Sequence, residues 1–209
     1  MKESKSMVDP NNITQFSQSR AQLEETLLFW ILASGKTAKT ASKNLRKLLS
    51  EIYAETKISS PFQSIRHWYQ KGNCLATLMK TCGIGCYNNK SKTFLQLAYS
   101  NIDLFQCEPS ELEAIYGIGM KTSRCFIIHS RKDAKYAGLD THVLKFLKDL
   151  NYDVPKSTPA SKKKYESIEK TFIKISDRLN VSPGKLDLII WRVYSQHQHL
   201  KSILLKICS

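Results

Sequence analysis

Apolar residues recur at three- and four-residue steps along most of the chain, which is the spacing of amphipathic helices. Across residues 19–56 the pattern is interrupted once, at the Gly-containing segment 34–36, and so predicts two consecutive helices. Ser60 and Pro61 then provide an N-cap and a first-turn proline for a third helix that runs through Trp68.

The same periodicity predicts a mostly helical remainder. The further helices cover residues 75–82, 90–102, 110–116, 120–130, 140–150, 159–179 and 183–205, and Ser110 is the expected cap of the short one. No segment alternates convincingly enough for a strand, and the Lys-, Ser- and Pro-rich stretch 151–164 is the one candidate linker, expected on the surface. The predicted fold class is therefore all-α.

The charge balance indicates a polyanionic partner. The 209 residues carry 32 Lys and Arg against 18 Asp and Glu, a formal net charge of +14. Nucleic acid is the first candidate and a membrane surface is the competitor. No apolar run approaches the ~18 residues of a spanning helix, and the polar start MKESKSMVDPNN lacks a signal-peptide core. We expect a soluble intracellular protein, in the cytoplasm and nucleoid, or in the nucleus of a eukaryote.

The six cysteines do not form a metal-binding pattern. Their spacing contains no Cys-x-x-Cys pair, and the pair Cys82 and Cys86 has no matching partner elsewhere in the chain. We expect free thiols in a reducing compartment, with no metal, no iron–sulfur cluster and no other cofactor.

The segment ELEAIYGIGMKTSRCFII, residues 111–128, is the most informative stretch. Gly117 and Gly119 flank Ile118 and allow a sharp turn, and the amides there and at the start of the following helix form an anion site. These residues and Thr122 are the predicted contacts to a DNA phosphate, which would be bound without regard to base sequence. A simple connection between two helices, with no ligand, is the alternative.

This hairpin resembles the helix-hairpin-helix motif of the base-excision DNA glycosylase superfamily, with Lys121 at the place of the lysine in its lyase-competent members. Asp140 follows 19 positions later in AGLDTHVLKFL and resembles the superfamily's catalytic aspartate at the start of the next helix. Segments 79–98 and 27–49 resemble the superfamily's helix-turn-helix and opening helices. The resemblance covers roughly residues 20 to 150.

The resemblance implies that Lys121 is the nucleophile and Asp140 its electrostatic partner. Base departure builds positive charge on the sugar, which a carboxylate stabilises, and an amine that attacks the same carbon forms an imine that permits β-elimination. The implied partner is double-stranded DNA that contains a damaged base, bound by a monomer. For Asp140 an ordinary N-cap that binds the amides of His142 and Val143 is the alternative.

The helix LDLIIWRVYSQHQ, 186–198, places Asp187 and Trp191 one turn apart and resembles the acid-and-aromatic pair of archaeal-type 8-oxoguanine glycosylases. These residues and Lys206 are the predicted base pocket, with Trp191 alternatively part of the core. The absence of a C-terminal four-cysteine cluster favours the compact 8-oxoguanine branch over relatives with an iron–sulfur cluster. Segment 33–39 lacks the Gln or Asn pair expected to read the opposite base.

The superfamily's architecture implies a single glycosylase unit over residues 1–209 with two helical lobes. Residues 36–135, including the hairpin 110–130, would form the central lobe, and residues 1–35 with 136–209 would form the second, with the active site in the cleft between them. The predicted function is excision of 8-oxoguanine followed by cleavage of the 3′ phosphodiester. A DNA-binding module without chemistry and a monofunctional glycosylase for another damaged base are the alternatives.

Overall fold

The structure is a computed structural model that describes residues 8–208, and over these residues it contains helices and no strand, which confirms the all-α prediction. The helices are α1 (Arg20–Ala33), α2 (Ala38–Thr56), α3 (Pro61–Gln70), α4 (Leu75–Thr81), α5 (Tyr87–Tyr99), α6 (Pro109–Glu113), α7 (Met120–Ser130), α8 (Thr141–Asp149), α9 (Lys162–Arg178), α10 (Pro183–Ser195) and α11 (Lys201–Cys208), with 3-10 turns at Pro10–Asn12 and Gln198–Leu200.

Side-chain caps determine where several helices begin. Ser19 accepts from the amide of Gln22, whose side chain in turn accepts from the amide of Ser19, so a reciprocal capping box starts α1. Ser60 accepts from the amide of Gln63 and Pro61 occupies the first turn of α3, as the sequence predicts.

Two predicted helix starts were wrong. Ser110 does not cap α6; the cap is Glu108, which forms a capping box with Glu111, and Ser110 lies inside the helix. α5 begins at Tyr87 rather than at residue 90, because Cys86 is the N-cap and ends the preceding turn in a left-handed conformation, with φ 51°.

The single helix predicted over 183–205 is interrupted. α10 ends at Ser195, and the amides of Gln196 and His197 both donate to the carbonyl of Arg192. The segment 195–199 carries no apolar side chain and is exposed, so no burial stabilises a continuous helix there. After the 3-10 turn at Gln198–Leu200, the next α-helix is α11, in which Leu204 is buried.

The described chain divides into two compact units. The first comprises Ser17–Thr122 with residues 8–10, and the second comprises Asn11–Phe16 with residues 123–208. Residues 17–35 thus group with the first unit and 123–135 with the second, which differs from the lobe bounds drawn from the sequence. The grouping of 17–35 follows from α1, which packs against α2 and α3.

Each unit has an apolar core of its own. In the first, α3 packs on α5, and Leu27, Leu45, Ile65 and Phe94 are fully buried. In the second, α10 packs against both α8 and α9, and the fully buried residues include Phe126, Phe146, Tyr165, Phe172 and Ile190. Burial of one such large side chain stabilises the fold by about 1.5–3 kcal/mol. Within residues 8–208, no helix has both the length and the apolar character that crossing a bilayer requires.

Candidate active site

The hairpin between α6 and α7 has the sharp turn that its sequence predicts. Gly117 has φ +81°, and a Cβ built on it would lie 2.7 Å from the Thr93 hydroxyl oxygen, so a glycine is required there. The amide of Ile118 donates to the carbonyl of Ile115, and both of these side chains are buried. Gly117 and Gly119 are exposed, which leaves the turn accessible to a ligand.

The predicted DNA contacts divide into exposed backbone and buried side chains. Ile118 and Thr122 are 5% and 7% exposed, so their side chains pack inside the protein. Lys121 is the second residue of α7 and is half-buried. Partial exposure leaves this amine accessible to a substrate.

Asp140 caps α8. Its Oδ1 accepts hydrogen bonds from the amides of His142 at 2.8 Å and Val143 at 2.9 Å, and the residue is half-buried. The capping geometry expected under the alternative interpretation is therefore present. It does not conflict with a catalytic role, because the two bonds fix the direction of the carboxylate.

The tripeptide before Asp140 is held by side chains of α9. Tyr165 donates to the carbonyl of Ala137 at 2.8 Å and accepts from the amide of Leu139 at 3.1 Å, while Glu169 accepts from the amide of Ala137 at 2.9 Å. Burial raises the pKa of Tyr165, which keeps its hydroxyl protonated. We name residues 137–139 the Asp140 approach segment; three of its backbone groups are bonded to these two buried side chains.

α7 supports the same segment from its own buried face. Arg124 donates to Glu169 at 3.0 Å and its guanidinium carbon lies 4.8 Å from the centre of the Tyr165 ring. Burial raises the pKa of the Glu169 carboxyl, although the Ala137 amide and Arg124 oppose that rise. A Cβ on Gly138 would overlap the sulfur of Cys125. The approach segment therefore has no room for a side chain at its centre.

Asp187 of the predicted base pocket contacts a residue that sequence reasoning did not select. Its Oδ2 lies 3.1 Å from Nε2 of His129, at the end of α7, and its Oδ1 is buried and has no hydrogen-bond partner within residues 8–208. Trp191 is half-buried and so is not a fully enclosed core residue, and Lys206 is exposed near the end of α11.

His129, Tyr165 and Glu169 were missed because each acts through distant partners. The only local signals were a histidine that ends the apolar run CFII and a glutamate at an apolar-face position of α9. Both are polar residues at positions that the helical periodicity marks as buried, and buried polar groups are generally hydrogen-bonded. Such positions are the places to search for positioning residues.

The part of the chain that the structure describes holds no cluster of three or more His, Cys, Asp or Glu side chains arranged for a metal ion. The six cysteines all lie within residues 8–208, and none of them forms a disulfide bond. The expected absence of a cofactor stays a prediction.

The fold is that of a helix-hairpin-helix protein, with a short helix, a Gly-x-Gly turn and a second helix that carries Lys121. A family model described as 8-oxoguanine DNA glycosylase matches residues 7–181. The chain belongs to the 8-oxoguanine DNA glycosylase family.

Curated relatives match over part of their length. An 8-oxoguanine DNA glycosylase/AP lyase of Picrophilus torridus is 31% identical over 91 residues, 44% of this chain and 43% of that relative. Its namesake in Thermotoga maritima is 34% identical over 91 residues, 43% of this chain and 42% of that relative. The aligned part of the chain thus spans less than half the length of these relatives.

A solved structure shares the fold over most of both chains. The crystal structure of the Methanocaldococcus jannaschii 8-oxoguanine glycosylase/lyase, in complex with a 15mer DNA containing 8-oxoguanine, superposes with a TM-score of 0.64. It covers 87% of this chain and 86% of its own, at 21% sequence identity. At that identity the likeness establishes a common fold.

Proposed function

We propose that this protein is an 8-oxoguanine DNA glycosylase and AP lyase that acts on double-stranded DNA. The observation that carries the proposal is that the region matched by the family model contains both Lys121, in the first turn of α7, and Asp140, at the cap of α8. The relatives and the solved neighbour bear the name of this activity. We also propose that the protein acts as a monomer inside the cell and without a cofactor.

Asp140 stabilises the positive charge that develops on the deoxyribose as the base departs. A carboxylate fixed by two backbone amides needs no reorientation during the reaction, and such preorganised groups act more strongly on the transition state than on the ground state. Asparagine is an equally good helix cap. The substitution Asp140→Asn therefore removes the charge and keeps the start of α8.

Lys121 is the nucleophile of the covalent step. Its neutral amine adds to C1′ of the sugar, the base leaves with its bonding electron pair and takes up a proton, and opening of the ring gives an imine between Nζ and C1′. Loss of a proton from C2′ then expels the 3′ phosphate by β-elimination. Water hydrolyses the remaining imine and regenerates the amine.

The hairpin and the base pocket have separate tasks in this proposal. The exposed turn at Gly117 and Gly119 offers its amides to a DNA phosphate, with the net charge of +14 as the long-range attraction. An extruded 8-oxoguanine is held by Asp187 and Trp191. Lys206, exposed on α11, is the third proposed pocket residue.

Borohydride trapping tests the proposal. We expect the wild type to form a covalent adduct with a duplex that carries one 8-oxoguanine opposite cytosine, because the reductant converts the imine into a stable amine. Lys121→Gln should abolish the adduct and Asp140→Asn should slow it strongly. Lys132→Gln and Asp153→Asn, at exposed positions, are matched controls and should trap like the wild type.

Trapping on an abasic duplex and on the 8-oxoguanine duplex tests the lysine chemistry and the assigned lesion separately. An adduct with an abasic duplex but not with the 8-oxoguanine duplex would leave the lysine chemistry standing and overturn the assigned lesion. Excision of 8-oxoguanine without any trapped adduct would show a monofunctional glycosylase. Binding without excision or trapping on either duplex would show a DNA-binding module.

A further inference from the structure

Three side chains of the second unit form a buried hydrogen-bonded chain, and two of them, Thr14 and His129, have no role in the mechanism proposed above. Thr14 Oγ1 lies 2.7 Å from Nδ1 of His129, and His129 Nε2 lies 3.1 Å from Oδ2 of Asp187. The three residues belong to separate segments: the stretch 11–16, the end of α7, and α10. His129 is fully enclosed and Asp187 is 8% exposed. We name this chain the Thr14–His129–Asp187 relay.

The protons of this relay can be assigned from its contacts. A carboxylate oxygen can only accept, so Nε2 of His129 must carry the hydrogen that points to Asp187. On the other side, Thr14 Oγ1 also lies 3.2 Å from the carbonyl oxygen of Gly184, and its single hydrogen goes either there or to Nδ1. In both arrangements His129 donates to Asp187, and the amide of Gln15 donates to the carbonyl of His129.

The bond to His129 engages only one of the two carboxylate oxygens. Oδ1 of Asp187 is buried and accepts no hydrogen bond from the described protein. Buried acceptors without a partner are rare, since each has lost its water without replacement. With Oδ2 fixed by His129, the direction of Oδ1 is also defined, and the described protein places no donor within hydrogen-bond distance of it.

We propose that His129 is a positioning residue, which holds Asp187 so that Oδ1 accepts an N–H from the extruded purine. The ligand class is a purine edge rich in N–H donors; 8-oxoguanine offers three such groups, at N1, at the exocyclic amine and at N7. Thr14 fixes the orientation of the ring. This inference rests on the proposed function and adds to it the two residues that orient the base-reading carboxylate.

The proposal is tested by comparing the activity of each variant on two duplexes, one that contains 8-oxoguanine and one that contains an abasic site. His129→Phe keeps a ring and removes the donor, whereas His129→Gln places an amide N–H near the position of Nε2. We expect His129→Phe to slow single-turnover excision of 8-oxoguanine by about 10- to 100-fold, the usual effect of losing a hydrogen bond to a charged group. Strand cleavage of an abasic duplex, which has no base to read, should change by less than about twofold.

Recovery of the excision rate by His129→Gln distinguishes a positioning role of His129 from a merely structural one. His129→Gln should recover most of the excision rate, and Thr14→Val should show a smaller selective loss than His129→Phe. If His129→Phe does not fold, the thermal midpoint will show it, and the other two variants decide. Equal losses on both substrates, or an unchanged excision rate in His129→Phe, would overturn the inference. Failure of the wild type to excise 8-oxoguanine would instead overturn the proposed function on which it rests.

Discussion

The phenolic oxygen of Tyr165 lies 2.8 Å from the carbonyl oxygen of Ala137, three residues before Asp140. The same oxygen accepts from the amide of Leu139, so one hydroxyl joins both ends of the Asp140 approach segment. The Tyr165 side chain is fully buried in the core. Its hydroxyl therefore anchors residues 137–139, which directly precede Asp140 and α8, to helix α9.

Tyr165→Phe should therefore lower both stability and activity. It leaves a buried carbonyl and a buried amide without their partner, which costs about 1–3 kcal/mol for each group. We expect a lower denaturation midpoint in urea and slower single-turnover excision at unchanged affinity for DNA. Tyr152→Phe, at a residue 41% exposed, is the control. Full excision activity in Tyr165→Phe would contradict a positioning role for the hydroxyl.

Gly138→Ala should destabilise the second unit, and a second substitution should reverse the effect. The new methyl group overlaps the sulfur of Cys125, while the next nearest atoms, Cα and Cβ of Cys125, lie at 3.6 Å. Overpacking of this kind costs about 1–3 kcal/mol. In a double-mutant cycle measured by urea denaturation, Cys125→Ala should restore most of that loss. Additive effects of the two substitutions would show that the sulfur is not the obstacle.

The two glycines of the hairpin turn should respond differently to alanine. Gly117→Ala imposes a left-handed conformation on a residue with a side chain and a contact with Thr93, and should lower stability by about 1–3 kcal/mol. No atom of the described residues lies within 4 Å of a Cβ added to Gly119, so Gly119→Ala should leave the thermal midpoint almost unchanged.

The affinity of Gly119→Ala for duplex DNA tests whether a phosphate binds at the exposed face of the hairpin turn. If a phosphate approaches the amides there, the methyl group of Gly119→Ala obstructs it, and affinity for duplex DNA in a fluorescence anisotropy titration should fall about tenfold or more. Wild-type affinity in Gly119→Ala would place the phosphate contact elsewhere.

The stability that Asp149 provides should depend on pH. Burial opposes ionisation of this carboxyl, but hydrogen bonds from Lys201 and Tyr194 outweigh burial and hold its pKa below the ordinary value of 3.8. A lowered pKa in the folded state means that the stabilisation is complete above about pH 3.8 and is lost as pH falls through the lowered value.

Asp149→Asn should accordingly lower the free energy of unfolding by about 1 kcal/mol at neutral pH, a figure reduced for the partial exposure of the group. The difference from the wild type should narrow in acid, measured by urea denaturation across the pH range. Asp153→Asn, at an exposed position, should follow the wild type throughout. A difference that is constant with pH would show that the ionised carboxylate is not responsible.

The parts of the fold that the sequence predicted correctly depend on interactions between residues that are close in the chain. Ser19, Ser60 and Asp140 each bond an amide two or three residues away, so a short stretch of sequence is enough to locate a helix start. The bounds of α7 were predicted to the residue because the Gly-x-Gly turn and the charged residues after Ser130 delimit it.

The supporting residues of the candidate site depend on contacts between distant positions. His129 and Asp187 are 58 positions apart, and Glu169 and Ala137 are 32 apart, distances over which periodicity carries no information. The break at Gln196 was missed for a related reason. Its polar neighbours are compatible with a surface helix, and only the absence of an apolar face to bury ends α10 there.

The close packing of Cys125 against Gly138 also governs how the protein tolerates oxidants. Cys74 and Cys86 are exposed, and hydrogen bonds from Thr77 lower the pKa of Cys74, so these thiols are the ones that peroxide meets in the native state. Cys125 is 2% exposed, and its sulfur packs directly against Gly138. Its oxidation requires that the second unit first open locally. Damage at the Asp140 approach segment is therefore slowed in proportion to the small fraction of molecules that are locally open.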